Sequence, residues 1–238
     1  KWTSALSENP SLEDAIAECG VAIKNSIGEE TLDLAVAFVS PHYEESYDQV
    51  ADLMAKTLGA KHVLGCSGGG VIGNGQEVEQ RAGLSITAAV LPNVDIKPFH
   101  LQVDRLPDMD AGPDNWEDLI GVTQDKDPHF VMLADPYSFP VNDLLVGLDY
   151  AFPRATKIGG LASGASRSGG NALFLDGEVL RTGCIGLALD GNITVDTVVA
   201  QGCRPIGEPM RISKSDRNML IELEGKPPLE VLQGMVPA

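Results

Sequence analysis

Lys61–Glu79, KHVLGCSGGGVIGNGQEVE, is the stretch on which the reading of this chain turns. A short apolar strand runs straight into a loop holding five glycines between Gly68 and Gly75. Clustered glycines uncover backbone N–H groups and remove side-chain bulk, so a ligand or another backbone can approach closely. α/β proteins place binding loops at such strand ends. A tight turn with no ligand fits the same residues equally well.

Working outward, Leu32–Val39, LDLAVAFV, is a continuous apolar run of the kind that forms a strand buried on both faces. Between it and the glycine stretch, Tyr47, Val50, Ala51, Met54 and Leu58 share one helical face over residues 43–58, and Gly59 supplies a stop. The three elements make a β-α-β unit, whose connection favours parallel strands. Upstream, Ser11 and Asp14 open a capping-box-like start, and Leu12, Ile16, Cys19, Ile23 and Ile27 predict a helix over 11–27. Downstream, residues 83–91 and 94–103 read as an antiparallel strand pair turning at Pro92-Asn93. Residues 104–128 form an Asp-, Pro- and Gly-rich connector with a short helix near Trp116–Ile120.

The second half repeats these landmarks. Asp135-Pro136-Tyr137 matches Ser40-Pro41-His42-Tyr43 after a strand at 130–134, and Pro136 to Gly160 has the same spacing as Pro41 to Gly65. A helix follows Pro140, with Val141, Leu144, Leu145, Leu148 and Phe152 on one face. Ile158–Leu161 then leads into a second small-residue loop, ASGASRSGGN at 162–171, in a register that aligns Gly69 with Gly164. A short hairpin at Asp176-Gly177 and strands at 182–189 and 193–201 complete the copy. The fold class expected is therefore mixed α/β: two β-α-β-loop-β-β pseudo-repeats, at about 32–103 and 129–201, forming mixed sheets with helices packed outside. Residues 202–238 add two strands, a Glu224-Gly225 turn and a helix opened by Pro227-Pro228.

Composition narrows the function classes. The 34 acidic against 17 basic residues, a net charge of −17, argue against nucleic acid or an anionic membrane as partner. Hydrophobic residues at 43% allow a core without disulfides, and Cys19, Cys66, Cys184 and Cys203 show no zinc spacing or disulfide framework. We therefore expect an intracellular, cytoplasmic protein with no cofactor, no metal and no membrane span. Lys1 is not an initiator methionine, so an upstream piece is expected, and a removed transit peptide would place the protein in an organelle such as the plastid stroma.

The chemistry-bearing residues gather at the loops. Gly68, Gly70 and Gly73 match G-x-G-x-x-G, but Asn74-Gly75-Gln76-Glu77 opens no helix to face a pyrophosphate, and no GK[ST] follows for a P-loop. Cys66 and Ser67 are two potential nucleophiles; His42, at the end of the first strand, is the base that could share their cleft. Cys66 reads equally as a small core residue. Glu77 and Glu79 lie on one strand face, as ligand contacts or as a solvated acidic edge. Arg167 carries a planar fork for a carboxylate or phosphate, or is simply solvated. If the two halves bring their loops together, the ligand site is the cleft bounded by Cys66, Ser67, Gly68, Gly69 and Gly70 on one side and Ser163 and Gly164 on the other.

Phe38-Val39-Ser40, Leu64-Gly65-Cys66-Ser67 with its glycines, Glu77-Val78-Glu79 and Gly202-Cys203-Arg204-Pro205-Ile206-Gly207 together resemble the N-terminal half of FIST-domain proteins, over about residues 30–232. The resemblance implies an intracellular sensory module that binds small ligands such as amino acids, working beside a signalling partner, with a C-terminal FIST domain beyond residue 238. It brings no catalytic residues. Two other readings stay open: a protein-interaction subunit of a larger complex, and an enzyme using Cys66 or Ser67.

Overall fold

The computed structural model describes residues 1–238 except 109, 200, 201, 203, 204, 206, 217, 218 and 236–238. The chain divides into two compact units, Lys1–Thr197 and Val198–Ala238. The first begins with β1 (Trp2–Ser7), α1 (Leu12–Ile27), β2 (Leu34–Val39), α2 (Tyr47–Leu58) and β3 (His62–Ser67). Then come β4 (Gly70–Gly73), β5 (Gln76–Glu79), β6 (Leu84–Ala89), β7 (Val94–Leu101), α3 (Pro113–Ile120) and β8 (His129–Ala134). The unit ends with α4 (Val141–Ala151), β9 (Lys157–Leu161), β10 (Leu173–Leu175), β11 (Glu178–Leu180) and β12 (Cys184–Gly191).

Local chemistry sets the helix limits. The Ser11 hydroxyl accepts from the Asp14 N–H, capping α1 with Glu13 and Asp14 in its first turn, where carboxylates favour the helix dipole. Gly59 and Gly121 end α2 and α3 in the left-handed conformation, and Pro113 opens α3.

Two mixed sheets stack face to face. One has the order β1-β6-β2-β3-β10-β11, the other β7-β12-β8-β9. The senses also recur: β6 is antiparallel to β1 and β2 while β2 and β3 are parallel, and β12 is antiparallel to β7 and β8 while β8 and β9 are parallel. Alternating residues of each strand enter different cores. Ala35, Ala37, Val39, Leu84 and Ile86 meet α1 and α2; Leu34, Leu64, Cys66, Ile185 and Leu187 fill the space between sheets; Phe130, Met132 and Cys184 meet α3 and α4. Burial on both faces is why the strands read as unbroken apolar runs rather than alternating ones.

Several expectations change. Residues 84–89 and 94–101 are strands but not partners: β6 pairs with β1 and β2, β7 with β12 in the other sheet. Both edges of β6 are already taken, so Pro92-Asn93 carries the chain between sheets instead of folding a hairpin. The glycine stretch contains a hairpin of its own, β4–β5, turning at Asn74-Gly75 with φ of 49° and 73°, the positive values that favour Asn-Gly. Residues 193–199 are not a strand, and 200–201 lie outside the described residues. β1, with little apolar content, is an edge strand the sequence reading passed over.

In the second unit, β13 (Ile212–Asp216) and β14 (Met219–Leu223) pair antiparallel, Glu224-Gly225 turns, and α5 (Pro228–Met235) follows. Cys203, Arg204 and Ile206 of the GCRPIG segment lie outside the described residues. Among the described residues, no helix is long and apolar enough to cross a membrane.

Candidate functional site

The two small-residue loops do meet, at the carboxyl ends of β3 and β9. The Gly69 N–H donates to the Ser163 hydroxyl at 3.1 Å, and the Ser163 N–H donates to the Ser67 carbonyl at 3.1 Å. A Cβ on Gly164 would stand 2.5 Å from the Ser67 Cβ, so glycine there is what lets the loops touch. Strand pairing shifts the expected correspondence by one residue. Gly68 N–H bonds Val39 C=O and Ala162 N–H bonds Ala134 C=O, which sets Gly69 opposite Ser163 rather than Gly164.

Several donors that a ligand would use are already bonded within the fold. The Ser67 N–H donates to Ala172 C=O at 2.9 Å, its hydroxyl accepts from the Ala172 N–H at 3.0 Å, and Gly68 N–H is spent on Val39. Cys66 pairs in register with Phe38 on one side and Leu173 on the other, and burial pushes its thiol up to about 12, far from the thiolate form a nucleophile needs. His42 is exposed, and the hydrogen bonds of His62, His100 and His129 go to Asp176, Thr182 and Thr156. Gly70 and Glu77 belong to the β4–β5 hairpin, with Glu77 exposed. Arg167 is exposed too and reaches Glu44 at 3.6 Å. Of the nine anticipated positions, Ser67, Gly69, Ser163 and Gly164 meet at one joint, Cys66 and Gly68 lead into it, Gly70 and Glu77 lie in the hairpin, and Arg167 stands on the surface.

Behind the joint lies a polar network that the sequence did not announce. Asp135, 0% exposed, accepts from the Asn171 side-chain N–H at 2.9 Å and from the Ser138 hydroxyl at 2.6 Å. Asn171, also 0% exposed, accepts from the Ala165 N–H at 2.9 Å, and the Ser67 hydroxyl lies 3.4 Å away. Ser138 in turn accepts from the Gly183 N–H at 3.0 Å. Every buried side-chain polar atom among the described residues has a partner. This is a clasp between the two sheets, with its donors and acceptors satisfied from within.

A cavity of about 260 Å³ sits elsewhere, between α4 and the α4-facing side of β8 and β9. Met132, Val141, Leu144, Leu145 and Cys184 give it an apolar wall, and the Lys157–Gly160 backbone forms its side. Lys157 is the one charged residue of the lining; its ammonium is held by Asp149 at 2.8 Å and by the Phe152 carbonyl at 2.7 Å, with the side chain 8% exposed. None of the nine anticipated residues lines this cavity. Its lining reads in sequence as ordinary core; Gly159-Gly160 inside an apolar strand was the available signal, since strand glycines mark close approach. Among the described residues, no group of three or more His, Cys, Asp or Glu side chains is placed to hold a metal.

Two relatives set this geometry in context. An uncharacterized protein of Mycobacterium tuberculosis strain H37Rv is 33% identical over 239 residues, covering 98% of this chain and 60% of that protein. Another, from Mycobacterium bovis, is 28% identical over 235 residues, covering 96% of this chain and 58% of its own. The chain therefore spans about 60% of the length of the curated relatives it matches. The family model described as the FIST N domain matches residues 33–226, taking in both stacked sheets except β1, and the hairpin of the second unit. This chain belongs to the FIST N domain family, a family of sensor domains in signal transduction.

Proposed function

We propose that this chain is a ligand-sensing module of a signalling protein, and that its ligand is an amino-acid-sized metabolite with an aliphatic body, held in the cavity between α4 and β9. The cavity itself carries the reading. Pockets for drug-sized molecules run to roughly 300–1,000 Å³, so 260 Å³ suits something smaller. The apolar wall would take the aliphatic part, and Lys157, with two of its three N–H donors engaged, keeps one for a carboxylate at the rim. Occupancy would act by stabilising one arrangement of α4 against β9, a shift in population rather than turnover.

Isothermal titration calorimetry against a panel of amino acids and small organic acids tests the class of ligand. Ala134→Leu, which places a larger side chain into the lining, tests the location. Binding that disappears in Ala134→Leu, with the circular dichroism spectrum kept, is the expected result. A panel with no binder at millimolar concentration removes the ligand class, and unchanged binding in the variant removes this cavity as the site.

A further inference from the structure

The stacked sheets differ at one place. In the first, β3 is covered by β10, paired antiparallel, with the Asp176 carboxylate at the β10–β11 turn accepting from the Val63 N–H and holding His62. In the second, the corresponding strand β9 is the last of its sheet. Its backbone polarity follows from its pairing. Thr156 C=O accepts from Phe130 N–H and Ala162 N–H donates to Ala134 C=O, so the even-numbered residues face β8. The N–H and C=O groups of Lys157, Gly159 and Leu161 point the other way, and within residues 1–197 no described strand takes them up.

Edge strands are normally blunted by charge or proline. β7, at the opposite edge of this sheet, carries Asp95, Lys97 and Pro98. β9, KIGGL, has no proline, and its lysine is folded back onto Asp149 and Phe152. Ile158 and Leu161 are 37% and 53% exposed, and Gly159 and Gly160 present bare backbone. Gly159 is fixed by its own sheet: at φ 158°, a Cβ would meet the Met132 carbonyl oxygen at 1.8 Å.

We infer that the open edge of β9 pairs with β9 of a second copy of this chain, antiparallel about a two-fold axis through Gly159, joining two four-stranded sheets into one of eight. The strand is self-complementary in that register. Gly159 lies opposite Gly159 of the second copy and Lys157 opposite Leu161, so all three outward residues form hydrogen-bonded pairs. Ile158 falls opposite Gly160, a large side chain beside an empty position. Charge permits the approach: β9 bears no carboxylate, and its one ammonium, held by Asp149, falls opposite the uncharged Leu161 of the second copy. The net charge of −17 on each chain works against association at long range, where salt screens it beyond about 8 Å, so salt tightens the dimer. This inference is independent of the ligand reading, although the dimer would wall the mouth of the cavity beside β9.

Analytical ultracentrifugation of the whole chain, with Leu161→Pro and Leu161→Lys, tests it. Leu161→Pro removes an outward N–H without touching the pairing to β8; Leu161→Lys sets a lysine against Lys157 of the second copy. A dimer is expected, with the dissociation constant raised about tenfold or more by either variant. Hydrogen exchange should show the amides of Lys157, Gly159 and Leu161 slowing as protein concentration rises. A monomer at tens of micromolar overturns the inference, as does a dimer indifferent to both variants. Protection of those amides in a monomer would hand the edge to another segment of the same chain and overturn it equally.

Discussion

Asn171→Ala should destabilise the first unit far more than the loss of one surface-loop asparagine ordinarily does. Asn171 is fully buried, and its side-chain N–H is held by the Asp135 carboxylate at 2.9 Å while its carbonyl holds the Ala165 N–H at 2.9 Å. A hydrogen bond to a charged group is worth about 1.5–3 kcal/mol and a neutral one about 1 kcal/mol. The contact with the Ser67 hydroxyl, at 3.4 Å, adds little. Truncation also leaves one oxygen of a 0% exposed carboxylate without its partner, so the expected loss is about 3–5 kcal/mol. Urea unfolding followed by the fluorescence of Trp116, which is buried in the same unit, measures it. The network also predicts non-additivity: Asp135→Ala in the Asn171→Ala background should cost about 1–3 kcal/mol less than it does alone. A loss below about 1 kcal/mol for Asn171→Ala, or additive effects of the two, would refute the clasp.

Three further outcomes follow from the packing and the titration. Gly147→Ala would gain about 1 kcal/mol in helix propensity, but its Cβ would stand 2.0 Å from the Trp116 ring, so a net loss of about 1–3 kcal/mol with a shifted Trp116 emission is expected. The Lys61 ammonium, with the Leu91 N–H, holds the Asp33 carboxyl below its usual value against the opposing effect of burial. That contribution is present above the unfolded carboxyl pKa and fades as pH falls through the lower folded one. Asp33→Asn should thus cost about 1 kcal/mol at neutral pH, converging with the parent chain in acid, by urea midpoints across pH. Burial pushes the thiols of Cys19, Cys66 and Cys184 up to about 12, so native alkylation near pH 8 should leave all three unmodified by peptide mass mapping, and urea should expose them together.

How far the sequence carried these conclusions depends on the range of the forces involved. α1 and α2 were legible because their caps and apolar stripes are local, and β2, β3 and β8 because burial on both faces makes continuous runs. β1 was not. WTSALS has no such run, and only its pairing with β6, far along the chain, makes it a strand. The β6–β7 error has the same source: Pro92-Asn93 reads locally as a hairpin turn, but which strand sits beside β6 is decided by β1 and β2. Asp135 reads only as part of the Asp-Pro-Tyr landmark that follows a strand. Its burial is fixed by Asn171, 36 positions later.

The glycines make the sharper argument. A glycine reports that something comes close to the backbone, and says nothing of what that is. At Gly164 it is Ser67: the loop expected to cradle a ligand makes a joint between sheets, with the N–H groups of Ser67, Gly68 and Gly69 bonded to Ala172, Val39 and Ser163. At Gly159-Gly160, inside what reads as an ordinary buried strand, the backbone is exposed on one side and lines a cavity on the other. The difference lies in neighbours contributed by distant segments. β10 covers β3, and within residues 1–197 no described strand covers β9. Where the glycine stretch had its approach filled from within, β9 keeps a backbone edge and an apolar pocket facing outward, and that asymmetry between two otherwise matching sheets is the physical reason to look for ligand and partner there.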